Sequence, residues 1–381
     1  MWFENILWLL GVSYALFTLG LWRTWKGMRD FRPASGEGPG IAGELMISVV
    51  IPVRNEAGNI TALLEDLDRQ SLHKSLFEVW VADDNSTDET KAIVKDFAAR
   101  SDLNLRLLEL SDDRAASPKK RAINAAVQRA GGLLIVTTDG DCRAGEEWLS
   151  VIASFYRATG AKCISGPVTF TEEETLTDYL QTVEFSSLVG SGACAIAAMR
   201  PTMCNGANFA YERAVFFEVG GFEGVDQIAS GDDELLMQKI AKKYPDGIYF
   251  LKSQAAVVRT APHKTWEGFK SQRQRWASKW KHYESSWPKV LAVFVFLSSL
   301  SVLSAVVAYA TGALSGYTAL ALILLRILPE WLFIGSVLRF LEKEQALPYI
   351  PLVQVIYPFY VLFFGLAGQK GVYRWKGRRL R

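Results

Sequence analysis

Three acidic clusters in this sequence have the residue types and spacing for chemistry. Asp139-Gly140-Asp141 follows the apolar run 133–136. Two carboxylates one residue apart at the end of a strand can hold a divalent cation, because Mg2+ takes one or two carboxylates together with substrate phosphate oxygens. Gly140 between them permits close backbone approach. Asp83-Asp84 follows the run 79–82, where a carboxylate can accept hydrogen bonds from a ribose or a base. Ser86 and Asp88 just beyond suit helix caps. Gly231-Asp232-Asp233-Glu234 precedes the apolar Leu235, Leu236, Met237 and Ile240. Acids there suit a helix start, where the dipole stabilises them. They also offer a carboxylate able to take a proton from an acceptor hydroxyl.

A fourth segment has another design. Gln272-Arg273-Gln274-Arg275-Trp276 lies where Trp266, Phe269, Trp276, Trp280, Tyr283 and Trp287 recur near helical spacing, with Lys264, Lys270, Arg275, Lys279 and Lys281 between them. This pattern reads as an amphipathic helix at a membrane surface. The hydrophobic segment that follows favours lipid over nucleic acid as the partner of this mixture.

The elements that must position these residues alternate. Strand-like runs occur at 46–52, 77–82, 105–110, 133–138 and 162–165, with helical patterns at 60–69, 88–100 and 119–130 between them. That rhythm predicts an α/β domain with a largely parallel sheet. Ligands of such sheets sit beyond the carboxyl ends of the strands, which is where the acidic clusters fall.

The ends of the chain differ from its middle. Of 381 residues, half are apolar, crowding at both ends, and the formal net charge is only +2. Residues 2–22 can just cross about 30 Å of hydrocarbon. Glu4 stands before its apolar core and Arg23, Lys26, Arg29 and Arg32 follow it, the reverse of a cleaved signal. The positive-inside rule puts the following domain in the cytoplasm. Residues 290–310, 317–338 and 350–368 are further membrane candidates. The second contains Arg326 and Glu330, four apart and able to pair on one helix face. The basic tail 369–381 also belongs inside, so three full crossings after a cytoplasmic domain conflict with it. A re-entrant or interfacial C-terminal segment resolves the conflict. Cys142, Cys163, Cys194 and Cys204 form no CxxC pair, and only three histidines are present. Reduced thiols in a cytoplasmic domain are expected, and a His/Cys zinc site is not.

Taken in order, the motifs resemble the inverting glycosyltransferases of family 2, which have a GT-A fold. Ile51-Pro52-Val53-Arg54-Asn55-Glu56 resembles the opening strand and nucleotide-binding turn, and Asp83-Asp84-Asn85-Ser86 the aspartate motif. Lys119-Lys120-Arg121-Ala122-Ile123-Asn124 resembles K-x-x-A-x-N, and Asp139-Gly140-Asp141 the metal-binding D-x-D. Gly206-Ala207-Asn208 resembles an acceptor-side G-x-N. Asp232-Asp233-Glu234-Leu235-Leu236 resembles E-D-x-x-L with Asp232 in place of Glu, and Gln272 to Trp276 resembles Q-x-x-R-W.

The resemblance implies donor contacts from Pro52, Arg54, Asn55, Glu56, Asp83, Asp84, Lys119, Asn124 and Asp139. It implies Mg2+ or Mn2+ at Asp139 and Asp141, and Gly206, Asn208 and Asp232 on the acceptor side. Asp233 is the implied base, with Gln272, Arg275 and Trp276 catalytic. The implied donor is a UDP-sugar, or second a GDP-sugar; the acceptor is a lipid or a polysaccharide, and an oligomer is compatible. The expected organisation is an N-terminal anchor (1–22), a linker (23–45) and a GT-A catalytic domain (46–262). An interface helix (263–288), two to three C-terminal membrane helices (289–368) and a cytoplasmic basic tail (369–381) complete it, in a bacterial-type inner or plasma membrane. A processive synthase like those of cellulose, hyaluronan and chitin is the alternative, set back by the small number of membrane segments. A catalytically silent nucleotide-binding subunit and a transporter are weaker alternatives still.

Overall fold

Long apolar runs separated by short polar turns become, in the computed structural model, strands and helices close to their expected bounds. The structure describes residues 2–33, 45–111, 116–171, 173–278, 287–367, 373–375 and 378–380. In chain order the elements begin with α1 (Trp2–Gly27), β1 (Ile47–Val53), α2 (Ile60–Asp68), β2 (Phe77–Asp83), α3 (Thr90–Arg100) and β3 (Leu105–Glu109). There follow α4 (Pro118–Arg129), β4 (Leu134–Thr137), β5 (Cys142–Arg143), α5 (Trp148–Thr159), β6 (Cys163–Ser165) and β7 (Val168–Phe170). Next come α6 (Leu176–Ala197), β8 (Phe209–Glu212), α7 (Arg213–Glu218), α8 (Glu234–Lys243), β9 (Ile248–Phe250) and β10 (Val258–Thr260). The last are α9 (Trp266–Ser278), α10 (Trp287–Ala310), α11 (Gly316–Phe340), α12 (Ile350–Ala367) and a short ribbon, β11 (Tyr373–Trp375) with β12 (Arg378–Leu380). Two compact units result: one of residues 29–172, 195–262 and 372–381, the other of residues 1–28, 173–194 and 263–371.

The first unit is built on a seven-stranded sheet in the order β3-β2-β1-β4-β8-β6-β9. β3, β2, β1 and β4 run parallel, whereas β8 is antiparallel to both β4 and β6. The sheet is therefore mixed rather than parallel throughout. All of β2 is buried and nearly all of β1, as expected for parallel strands covered on both faces. α2 shows how the helices attach: Ile60, Leu63, Leu64 and Leu67 form one buried stripe at helical spacing. Pro118 opens α4 at a position where its missing N–H costs nothing. A second sheet, β5-β10-β7, has three strands.

The second unit is helical. α1, α10 and α11 are long and apolar enough to cross a membrane; α1 runs to Gly27, past the expected end at 22. Arg326 and Glu330 pair as expected, at 3.1 Å, and both are buried. Glu330 also accepts from the Tyr14 hydroxyl and from Gln354 Nε2 at 2.7 Å. Arg326 donates to Ser299 Oγ at 3.2 Å and lies over the Tyr14 ring. Four helices thus share one polar cluster, in which the buried charges of Arg326 and Glu330 face each other inside protein.

Candidate functional site

Strand register brings the carboxyl ends of β1, β2 and β4 together, with Val53 beside Asp83 and Val50 beside Thr137. The turns leaving β1 and β2 are stitched to one another. Asn55 and Asn85 both take left-handed backbone, φ 53 and 56, which asparagine tolerates better than most residues. Asn55 N–H donates to Ser86 Oγ, and its side-chain oxygen accepts from Thr87 N–H, each at 2.9 Å. Arg54 Nη1 donates to the carbonyls of Asp84 and Asn85. Glu56 N–H donates to Thr90 Oγ1 at 2.8 Å, and the Glu56 carboxylate takes Asn59 Nδ2 at 2.8 Å. Arg54, Asn55 and Glu56 thus build the turn, while Pro52 lies half-buried in β1.

Asp83 is fully buried, and its Oδ2 accepts from Ser86 N–H at 2.9 Å. Its Oδ1 has no hydrogen-bond partner among the described residues. A buried acceptor in that state costs free energy until a donor reaches it, and the N–H of a base or the O–H of a ribose has the right chemistry. Asp84 forms an ion pair with Arg121 of α4 and lies 3.9 Å from Arg54. Asn124 is half-buried on the same helix.

The second cluster gathers around Lys119, in the first turn of α4. Its Nζ lies 2.7 Å from Asp139 Oδ1 and 3.1 Å from Asp232 Oδ2. Asp233 is the N-cap of α8: its Oδ1 accepts from Glu234 N–H at 2.7 Å, and its Oδ2 from Gly206 N–H at 2.8 Å. Thr137 Oγ1 donates to the Gly206 carbonyl at 2.8 Å, tying this group to β4. A Cβ at Gly206 would stand 3.1 Å from Asp232 Oδ2 and 3.4 Å from both Asp233 Oδ2 and Lys119 Nζ, so the close approach depends on glycine. Asp139 and the adjacent pair Asp232 and Asp233, distant in sequence, therefore meet at one place.

Gly140 is packed for the same reason, since a Cβ there would stand 2.9 Å from Val53 and 3.0 Å from Glu56. Asp141, beyond it, is exposed. Asp139 and Asp141 fit a hard divalent cation that also takes phosphate oxygens and water, and Asp139 already attracts the Lys119 ammonium. Among the described residues no three His, Cys, Asp or Glu side chains are grouped to hold a metal unaided.

Burial acts against the charge on Lys119, but Asp139, then Asp232 and Asp233, overcome it and hold its ammonium above the ordinary lysine range. Burial, with Asp141 and Asp139 adding to it, pushes the Cys142 thiol well up. A thiol so protonated is a poor nucleophile or metal ligand. All four cysteines are free, as expected.

Two residues differ in role from the sequence reading. Asn208, expected toward the acceptor, is buried and donates to the carbonyls of Pro167 and Ala256 at 2.8 and 2.7 Å. Its oxygen accepts from Trp148 Nε1 at 3.0 Å. With both amide protons and the oxygen committed, it is scaffold. Lys120, to which the sequence reading gave no role, is 1 % exposed and donates to the carbonyls of Val225 and Ile228 at 2.7 and 2.9 Å. It anchors the loop leading to Asp232. No spacing signals this, because the acceptors are backbone atoms distant in sequence.

Within the helical unit, α9 carries Gln272, Arg275 and Trp276. Lys279, Trp280, Lys281 and Tyr283 lie outside the described residues. A surface helix would leave its arginines in water, yet Arg273 is buried and ion-paired with Glu184 of α6. Its guanidinium lies 4.2 Å from the centre of the Trp276 ring and 4.6 Å from that of Phe269, and it also donates to Gln272 Oε1. Tyr360 of α12 donates to Glu184 Oε1 at 2.9 Å. Trp276 stacks on Phe185 with a 24° interplanar angle. Burial and then Arg273 press His263 below its ordinary value, against the pull of a hydrogen bond with Gln272.

Residues 48–220 match the family model described as glycosyl transferase family 2. Glycosyltransferase AglE of Haloferax volcanii is 37 % identical over 125 residues, 33 % of this chain and 40 % of its own. The beta-monoglucosyldiacylglycerol synthase of Nostoc sp. is 32 % identical over 112 residues, 29 % of this chain and 24 % of its own. The chain thus spans less than half the length of these curated relatives. The structure is similar to mannosyltransferase PcManGT from Pyrobaculum calidifontis, solved with GDP-Man and Mn2+. The TM-score is 0.58 at 20 % identity, covering 94 % of this chain and 99 % of that one. At such identity the likeness establishes a shared fold.

Proposed function

Residues 48–220 match the glycosyl transferase family 2 model and the fold is shared with a mannosyltransferase; we propose that the chain is a family 2 enzyme with a GT-A fold, an inverting, metal-dependent hexosyltransferase. In this reading it moves a sugar from a nucleotide diphosphate to a hydroxyl of a lipid or membrane-associated acceptor on the cytoplasmic face. The observation that carries the reading is the meeting of Asp139, Asp232 and Asp233 around Lys119 and Gly206 at the carboxyl ends of the strands.

The residues divide the work by their surroundings. The unpartnered oxygen of Asp83, with Asp84 and Arg121 nearby, suits the nucleoside. A divalent cation at Asp139 and Asp141, when bound, would neutralise the diphosphate as it leaves. Asp233 is the better base of the adjacent pair. Asp232 is ion-paired with Lys119 at 3.1 Å, whereas Asp233 is oriented by the backbone N–H groups of Gly206 and Glu234. Asp233 takes the acceptor proton as the hydroxyl oxygen bonds to the anomeric carbon. The bond from that carbon to phosphate oxygen breaks, and the electron pair leaves with the diphosphate. Attack from the opposite face turns an α-linked donor into a β-glycoside. Gln272, Arg275 and Trp276 are assigned catalytic roles on the family resemblance.

A lipid acceptor is supported by the three membrane-length helices and by a relative named for a glycolipid product. The cytoplasmic side is supported by Arg23, Lys26, Arg29 and Arg32 after the first of these helices. With α10 and α11 crossing out and back, α12 lies at the interface and the basic tail stays inside. The test is mass spectrometry of membrane-lipid extracts incubated with purified protein, Mg2+ or Mn2+, and UDP- or GDP-sugars. A β-linked glycolipid is expected, and Asp233→Asn should lower its formation by about 10²–10⁴-fold. Near-normal turnover in that variant would remove Asp233 as the base.

A further inference from the structure

Lys119 stands where a second cation would have to come. Its ammonium bridges Asp139, one of the two acids suited to a divalent ion, and Asp232, from the segment carrying the base. Its side chain is 15 % exposed. A metal ion and an ammonium on the same carboxylate compete for lone pairs and repel one another through partly desolvated surroundings. The lysine stem has four rotatable carbons, so its head can leave Asp139 without moving α4.

We propose that Lys119 is a built-in counter-cation that reserves the acid cluster until donor arrives. This rests on the metal-dependent reading above. Before donor binds, Lys119 neutralises Asp139 and Asp232 and weakens the site for a free divalent ion. When a nucleoside diphosphate enters, Lys119 turns to the phosphate oxygens and frees Asp139. Metal and nucleotide therefore enter as a coupled pair, and coupling between two ligands is reciprocal.

The experiment is Mn2+ binding to the full-length protein followed by electron paramagnetic resonance, alone and with UDP or GDP, without acceptor. Wild type should bind Mn2+ weakly alone and at least about tenfold more tightly with one nucleotide, a factor equal to about 1.4 kcal/mol. Lys119→Gln and Lys119→Met should bind Mn2+ alone about tenfold more tightly than wild type, about 1.4 kcal/mol, with the nucleotide enhancement reduced to a few-fold. Lys119→Arg keeps the charge and should keep the weak binding. Circular dichroism and thermal unfolding establish which variants are folded, and either neutral variant suffices. Equal or weaker Mn2+ binding by a folded neutral variant overturns the inference, as does tight binding by wild type without nucleotide. If wild type shows nucleotide-dependent binding and the neutral variants keep the same enhancement, this inference alone fails. If wild type binds no Mn2+ under any condition, the metal-dependent reading fails with it.

Discussion

Replacing Arg273 with methionine should unfold the helical unit many degrees earlier, and a second substitution should undo most of the damage. Arg273 is 2 % exposed and Glu184 9 %. Without the guanidinium, the Glu184 carboxylate stays buried with the Tyr360 hydroxyl as its remaining hydrogen-bond donor among the described residues. Breaking one side of such a pair costs about 3–5 kcal/mol. Losing the cation from between Phe269 and Trp276 adds about 0.5–2 kcal/mol. Glu184→Gln keeps the shape and an acceptor for Tyr360, so it belongs at the lower end, about 3 kcal/mol. With both charges gone the desolvation penalty goes too, and the double variant should lose only about 1–2 kcal/mol relative to wild type. The assay is thermal unfolding of all four proteins in one detergent. At about 2–4 °C per kcal/mol, Arg273→Met should lower Tm by about 10 °C or more, with the double variant recovering most of it. If the single losses simply add, to within about 0.5 kcal/mol, the two residues are not coupled and the account of how α9 is held is wrong.

Gly206→Ala should leave the fold nearly intact but lower kcat about tenfold, roughly 1.4 kcal/mol, because its Cβ would press on Asp232 Oδ2 at 3.1 Å; unchanged kcat would mean that this contact is irrelevant to turnover. Asn208→Ala should cost stability, about 2–4 kcal/mol from the buried groups it leaves unpaired, while the folded variant keeps its KM for acceptor; a large KM change would return Asn208 to the acceptor side. Burial and then the Arg273 charge press His263 below its ordinary value of 6.5 in the fold. The unfolded chain then binds more protons below about pH 6.5, so stability should be full above that pH and decline as pH falls through it. Unfolding scans from pH 8 to 5 should show this slope in wild type, and its persistence in His263→Gln would assign it to another group.

Much of the α/β unit was legible in the amino-acid order. The β1, β2 and β4 runs, the α2 stripe of Ile60, Leu63, Leu64 and Leu67, and the placement of acids after strands all follow from periodicity and from turn residues, which are local properties. So does the Arg326–Glu330 pair, because four residues make one turn of helix. Membrane length in α1, α10 and α11 is likewise a property of long, largely apolar runs. Contact between distant segments is not local. Only the folded chain sets Lys119 between Asp139 and Asp232, aims the Gly206 N–H at Asp233, and turns Lys120 onto the Val225 and Ile228 carbonyls. Only it commits Asn208 to the scaffold and buries Arg273 against Glu184, because a side chain's partners depend on which strands and helices pack side by side, and residue spacing along the chain does not encode that.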